Sequence, residues 1–241
     1  MICTLCKTDT ELRNSHIIPR FMHKPLFDKN GRFIESSTDA TISERTTQKQ
    51  LKHELLCCDC EQKIGRWENY ARDLLYNKSS KPQVYDIARV FSGVDYKKFK
   101  LFQLSLLWRA SVSTLPFFEN VQLSSSPHEE NIRMMLLEEQ PGKYYEYGCI
   151  LVFSQNKELR KIVDILIEPN AFRYETFRGY KFCLNGLFWH FVTSRHTASF
   201  PFRAGFLQED GTLPVVSDLG HAKIEYEKFY RASIIRKNID S

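Results

Sequence analysis

Two Cys-x-x-Cys pairs, Cys3/Cys6 and Cys57/Cys60, constrain this chain more than any other feature of its 241 residues. Four soft thiolates are the ligand number and type of a tetrahedral structural zinc site. A gap of two residues lets both sulfurs of a pair reach one ion from a tight turn, or from a turn that runs into a helix start. An ion shared by both pairs closes residues 7–56 into a loop. That closure is affordable, because its entropic cost grows only with the logarithm of loop length. Metal binding then supplies much of the folding free energy of the unit. Two alternatives stay open: cysteines that share no ion, and a ligand set in which Cys58, His53 or His23 displaces one cysteine.

The chain has seven cysteines, an odd number with four at metal spacing. This favours a reducing compartment and metal ligation over a disulfide framework. Cys58, Cys149 and Cys183 are left over and read as small buried hydrophobes. No run approaches the roughly 18 apolar residues of a membrane helix, and the first residues carry no apolar signal-type core. A cytoplasmic protein without a membrane partner is expected. Net charge is +5 and is spread along the chain. That permits a nucleic-acid partner without demanding one, and ordinary solubility accounts for it equally well.

The fold class expected is α+β, with a zinc unit over residues 1–85 and a second α+β region over 86–241. The polar, proline-closed run Asn77–Pro82 marks the junction. Before it come a turn at Cys3–Cys6, a strand within Leu12–Ile18 and a polar surface excursion from Asp28 to Gln50. A helix from Cys57–Cys60 to about Tyr76 follows, with Ile64, Trp67, Tyr70, Ala71, Leu74 and Leu75 on its apolar stripe. Trp67 and Tyr70 are therefore assigned to core packing. Further helices are predicted at Tyr96–Val112, Pro127–Glu139 and Ala222–Ser233. Glu129 and Glu130 suit the first turn of the second of these. Strands are predicted at Tyr147–Phe153, Lys161–Ile167, Phe172–Thr176, Tyr180–Cys183 and Leu187–Thr193, joined in an antiparallel sheet.

Cys3-x-x-Cys6, Ser15-His16-Ile17-Ile18-Pro19 and Leu56-Cys57-x-x-Cys60-Glu61 together resemble an HNH endonuclease of the zinc-containing ββα-metal type, over residues 1–76. The resemblance implies a treble-clef-like ββα unit, a structural zinc on Cys3, Cys6, Cys57 and Cys60, and His16 as general base. It also implies a catalytic magnesium or manganese ion and a nucleic-acid substrate, DNA ahead of RNA. A histidine suits the role because it titrates near neutral pH.

The pattern departs from the family at three places. Ser15 stands where an aspartate commonly binds the catalytic ion, Lys52 where an asparagine stands, and Glu61 where a histidine often follows the second pair. Glu61, and after it Glu68 two helical turns on, are the carboxylates able to bind a hard cation in its place. Solvated helix charges are the alternative for both, more so for Glu68 than for Glu61, and His53 and Glu54 lie close by. Arg20, Lys63 and Arg66, with Arg13 and Lys24, are candidates for phosphate contact, or ordinary exposed charges.

The region after residue 85 holds no glycine-rich phosphate loop and no nucleophile elbow. His190, His196 and His221 there default to core or surface roles. Arg109, in an apolar helix beside Trp108, faces a buried carboxylate or a partner, or more simply snorkels. Target recognition, or a protein partner or second copy, is expected of this region by elimination. The alternative for the whole chain is a zinc-stabilised nucleic-acid or protein interaction module with a decayed nuclease site.

Overall fold

The helix that organises the molecule has no polar stripe wide enough to face water, and it is buried all round. In the computed structural model this helix, α3, spans Tyr96–Val112, and Phe99–Ala110 are all buried. Asp95 caps it by accepting from Lys98 N at 3.0 Å. The structure describes residues 1–23, 33–36, 45–47, 51–76, 81–153, 165–184, 187–193 and 197–217. The helix expected at Ala222–Ser233, Lys24, the Asn77–Ser80 junction, His196 and His221 lie outside them. So do the side chain of His23 and most of the Asp28–Gln50 excursion.

The first elements are β1 (Arg13–His16), the short helix α1 (Arg20–His23), β2 (Phe33–Ser36), β3 (Arg45–Thr47) and β4 (Lys52–Leu56). Helix α2 (Cys58–Tyr76), β5 (Gln83–Val84) and β6 (Ala88–Phe91) lead into α3. After it come α4 (His128–Leu137), β7 (Cys149–Phe153), β8 (Ile165–Tyr174), β9 (Phe177–Leu184), β10 (Leu187–Val192) and β11 (Leu213–Ser217). Strand β1 pairs antiparallel with β4, so that Ser15 opposes His53 and His16 opposes Lys52. Helix α2 begins two residues after β4 ends.

Among the described residues the other nine strands form one sheet, in the order β3-β2-β8-β9-β10-β7-β11-β6-β5. The sheet is mixed and not antiparallel as expected, because β2 runs parallel to β8 and β11 parallel to β7. The polar excursion is not all surface loop either. Its strand β2 pairs Ile34 with Ile165 and extends the main sheet. The two strands expected at Lys161–Ile167 and Phe172–Thr176 are one strand, β8, with a break in register between Ile167 and Asn170. Asn170 bonds back to the Glu168 carbonyl there, the local side-chain competition that interrupts a ladder.

Alternation along the strands gives the sheet two unlike faces. Cys149, Leu151, Phe182, Trp189 and Phe191 join a large buried cluster with α3; Phe99 and Phe102 meet the Trp189 ring at 6.3 and 6.0 Å. The same cluster continues through Trp67 on α2 to Ile17, Leu5 and Cys3. The opposite face holds a smaller cluster of Ile150, Val152, Phe188, Phe200 and Phe206. Among the described residues no helix is long and apolar enough to cross a membrane.

Candidate functional site

The Cys3–Cys6 turn is closed by Lys7 N donating to the Cys3 carbonyl at 2.8 Å, with Lys7 itself in the left-handed region at φ 62°. Thr4 N donates to Leu55 O at 3.0 Å, tying that turn to the end of β4, and Cys57 N donates to Cys3 Sγ at 3.3 Å. The second pair sits where β4 gives way to α2, so Cys60 is carried on the first helical turn. Arg133 on α4 donates to the Leu5 carbonyl, inside the first turn, and also pairs with Glu130.

These contacts bring Cys3, Cys6, Cys57 and Cys60 together, with their sulfurs within 4.8 Å of one another. Cys6 and Cys57 are 3.8 Å apart. Thiolates about 2.3 Å from a central ion form a tetrahedron with edges of about 3.8 Å, so the four can hold a metal such as zinc. Burial raises the Cys57 and Cys60 thiols, and for Cys60 the neighbouring cysteines add to it. Burial also opposes ionisation of Cys6, but hydrogen bonds from Thr8 and the neighbouring cysteines outweigh it and bring this thiol to about 6. Such crowding of one acid type is relieved by a cation at the centre. Cys58 is exposed and accepts from Gln62 at 3.4 Å, so it is neither a buried hydrophobe nor part of the cluster. Cys149 and Cys183 are buried as expected.

Beside this cluster the strand and the helix meet through a polar contact. Ser15, fully buried, donates from Oγ to Glu61 Oε2 at 2.6 Å. The two residues are 46 positions apart, so no local sequence pattern marks the pair. Glu68 lies on the same face of α2 and is held by Arg109, Nη1 to Oε1 at 2.7 Å. Burial pushes the Glu68 carboxyl up; Arg109 pulls it down, and the Glu61 charge raises it further. The same Arg109 nitrogen donates to the His16 carbonyl at 2.6 Å, and Nε donates to Ser105 O at 3.2 Å. The His16 main chain and the Glu68 carboxylate therefore lie within two hydrogen-bond lengths of each other.

Arg109 is 1% exposed and does not snorkel. Its signal in the sequence was a lone guanidinium among apolar neighbours, which is buried only when paired. His53, paired with Ser15 across the strands, points Nε2 to Thr114 Oγ1 at 3.4 Å and stays outside the thiol cluster.

The cationic candidates divide. Arg13 and Arg20 are exposed. Lys63 instead donates to the Leu137 carbonyl at 2.7 Å, where it closes the C-terminus of α4, and Arg66 meets Glu139 at 3.1 Å. At roughly 100° per residue these two lie about 200° and 140° around α2 from Glu61. They serve the α2–α4 contact and do not flank Ser15 and Glu61.

The fold and the site together define a mixed α+β protein with a buried four-cysteine cluster able to hold a metal, set against a strand–helix pair that carries a histidine and two carboxylates. Neither family models nor curated proteins nor solved structures match the chain.

Proposed function

We propose that this chain is a zinc-organised, metal-dependent endonuclease of the HNH type, with His16 as general base and Glu61 as the carboxylate for a catalytic ion. The observation that carries the reading is the 2.6 Å bond from Ser15 to Glu61. It sets a helix carboxylate against the strand position where nucleases of the HNH type commonly keep their metal-binding aspartate, next in sequence to His16. An Asp-to-Ser change on the strand is then offset by Glu61 on α2. One Glu61 oxygen takes the serine hydroxyl, and a carboxylate keeps acceptor capacity on the other.

His16 would take a proton from water as the water oxygen bonds to phosphorus and the bond to the 3′ oxygen breaks. A magnesium or manganese ion on Glu61 would offset the charge developing on the phosphate and the leaving oxygen. Arg109 holds the His16 carbonyl and so fixes the strand end that carries the imidazole, whose Nε2 is buried. Its bond to Glu68 commits that carboxylate to the guanidinium, so Glu61 is favoured over Glu68 as the metal ligand.

A second reading, a zinc-stabilised nucleic-acid or protein interaction module without cleavage, draws on the same contacts. With Ser15 in place of aspartate and Glu68 spent on Arg109, few hard ligands remain near His16. Incubation of labelled DNA and RNA with magnesium or manganese, beside His16→Ala and Glu61→Gln, separates the two. The nuclease reading expects cleavage by the wild type that falls about a hundredfold or more in His16→Ala. Cleavage that survives this substitution sinks the assignment of the base. No cleavage with either metal on any substrate favours the interaction module.

A further inference from the structure

The contact between Ser15 and Glu61 has a neighbour across the strands. His53 stands directly opposite Ser15 in the β1–β4 ladder. Residues so paired project from the same face, with Cβ atoms about 4.5–5.5 Å apart. Through Ser15 that face meets Glu61 on α2, and through His53 it meets the segment just past α3, where Nε2 lies 3.4 Å from Thr114 Oγ1. The other ring nitrogen has no such contact. His53 Nδ1 is buried and has no hydrogen-bond partner among the described residues. Buried polar atoms are paired as a rule, because an orphan forfeits its bonds to water without replacement.

Glu61 carries the complementary deficit. It accepts the Ser15 hydroxyl on Oε2, yet among the described residues no lysine or arginine lies within salt-bridge distance of it. The other carboxylates that α2 carries or touches are matched: Glu68 has Arg109, and Glu139 has Lys63 and Arg66. The uncompensated Glu61 charge reaches Glu68 and helps to raise its carboxyl. Glu61 and His53 are not bonded to each other either, so each keeps a lone pair for a third group. A carboxylate without a cation and an imidazole nitrogen without a donor, flanking one buried serine, are together what a divalent metal ion satisfies.

We propose that Glu61 and His53 form a two-ligand site for a transition-metal dication, manganese in preference to magnesium. Magnesium takes oxygen ligands, whereas an imidazole nitrogen moves the choice toward first-row transition ions. Ligation requires Nδ1 to be free of its proton, which then sits on Nε2 and is donated to Thr114 Oγ1. That bond fixes the tautomer and the ring, as the outer partner of a metal-bound histidine does. Water and a phosphate oxygen fill the other positions. The inference rests on the role given above to Glu61 as a metal ligand, and not on that of His16.

Manganese titration of the full chain carrying one equivalent of zinc, followed by the EPR signal of the free ion, tests this without catalysis. One manganese is expected to bind, about tenfold or more tighter than magnesium. His53→Ala and Glu61→Gln should each weaken it about tenfold or more, and His53→Ala should erase most of the preference over magnesium. Pulsed EPR of the bound ion is expected to show coupling to an imidazole nitrogen, kept in His16→Ala and lost in His53→Ala. Thermal melting confirms that each variant is folded. A chain that binds no manganese, or binds it without nitrogen coupling, overturns the proposal. So does coupling that persists in His53→Ala or disappears in His16→Ala, since another histidine is then the ligand. Cleavage of nucleic acid beside any of those failures leaves the nuclease reading intact. A manganese site of the expected kind in a chain that never cleaves would remove that reading and leave this result standing.

Discussion

The cysteine end and the sheet end of this molecule belong to one buried cluster but are held by different forces. Around α3 the cohesion is apolar: Phe99, Phe102, Trp189 and Phe191 interlock, and losing one contact leaves many. Around Cys3, Cys6, Cys57 and Cys60 it is polar and local. It rests on four thiols, a left-handed Lys7 and bonds such as Thr4 to Leu55 and Arg133 to Leu5. The first kind of region fails gradually, whereas the second would depend on one central ion if its four thiols hold a metal.

Removing the metal should break that comparison open and give the largest effect. Structural zinc contributes an apparent binding energy on the order of 10 kcal/mol in small zinc units. The purified chain is expected to carry one zinc, measured by elemental analysis. A strong chelator, or Cys57→Ser, should abolish amide-exchange protection at Cys3–Thr8 and in β4 while α3 and β10 stay protected. Equal protection in both regions with and without metal would mean that the cysteine end holds itself together.

What could be read from the chain divides along the same lines. The thiol set was legible because ligand type and two-residue spacing are local chemistry, and α3 because Asp95 and an apolar run mark its start and body. Strand β2 was not, since its partner β8 lies more than a hundred residues away and no turn chemistry announces a parallel pairing. Strand β11 was hidden by Pro214, which normally argues against a strand between two others. It is tolerated because pairing with β7 begins only at Val215. The contacts that define the candidate site, Ser15 with Glu61 and Arg109 with Glu68 and His16, join distant positions. Sequence supplied the residues and not the pairs.

Arg109 sharpens the comparison, because it reaches from the apolar region to the strand that carries His16. Arg109→Met should destabilise the chain by about 3 kcal/mol in urea denaturation, the low end for breaking a buried pair, since the half-buried Glu68 would be left without its partner. Adding Glu68→Met should recover most of that loss, although the His16 carbonyl still lacks its donor. A single variant that loses less than about 1 kcal/mol would show that the two regions do not depend on this joint.

The smallest effect expected comes from a buried charge wholly inside the apolar region. Lys100 is 1% exposed and donates from Nζ to the Tyr147 carbonyl at 3.0 Å. Burial lowers its pKa to about 8, partly offset by Cys149 on β7 and by Glu146. An unfolded lysine titrates near 10.4. Between about pH 8 and that value the unfolded chain keeps a proton that the folded chain has released, so this group's contribution to stability rises with pH. Below pH 8 the folded state carries the full penalty of a buried ammonium. Lys100→Met removes the penalty but also the bond to Tyr147, for a net gain of about 1–2 kcal/mol at pH 7. The advantage over wild type should shrink as the pH approaches about 10, where the wild-type amine is neutral in the folded chain. A difference in melting that stays constant from pH 7 to 10 would show that Lys100 carries no buried charge, and that the apolar region is as free of electrostatic cost as its aromatic packing suggests.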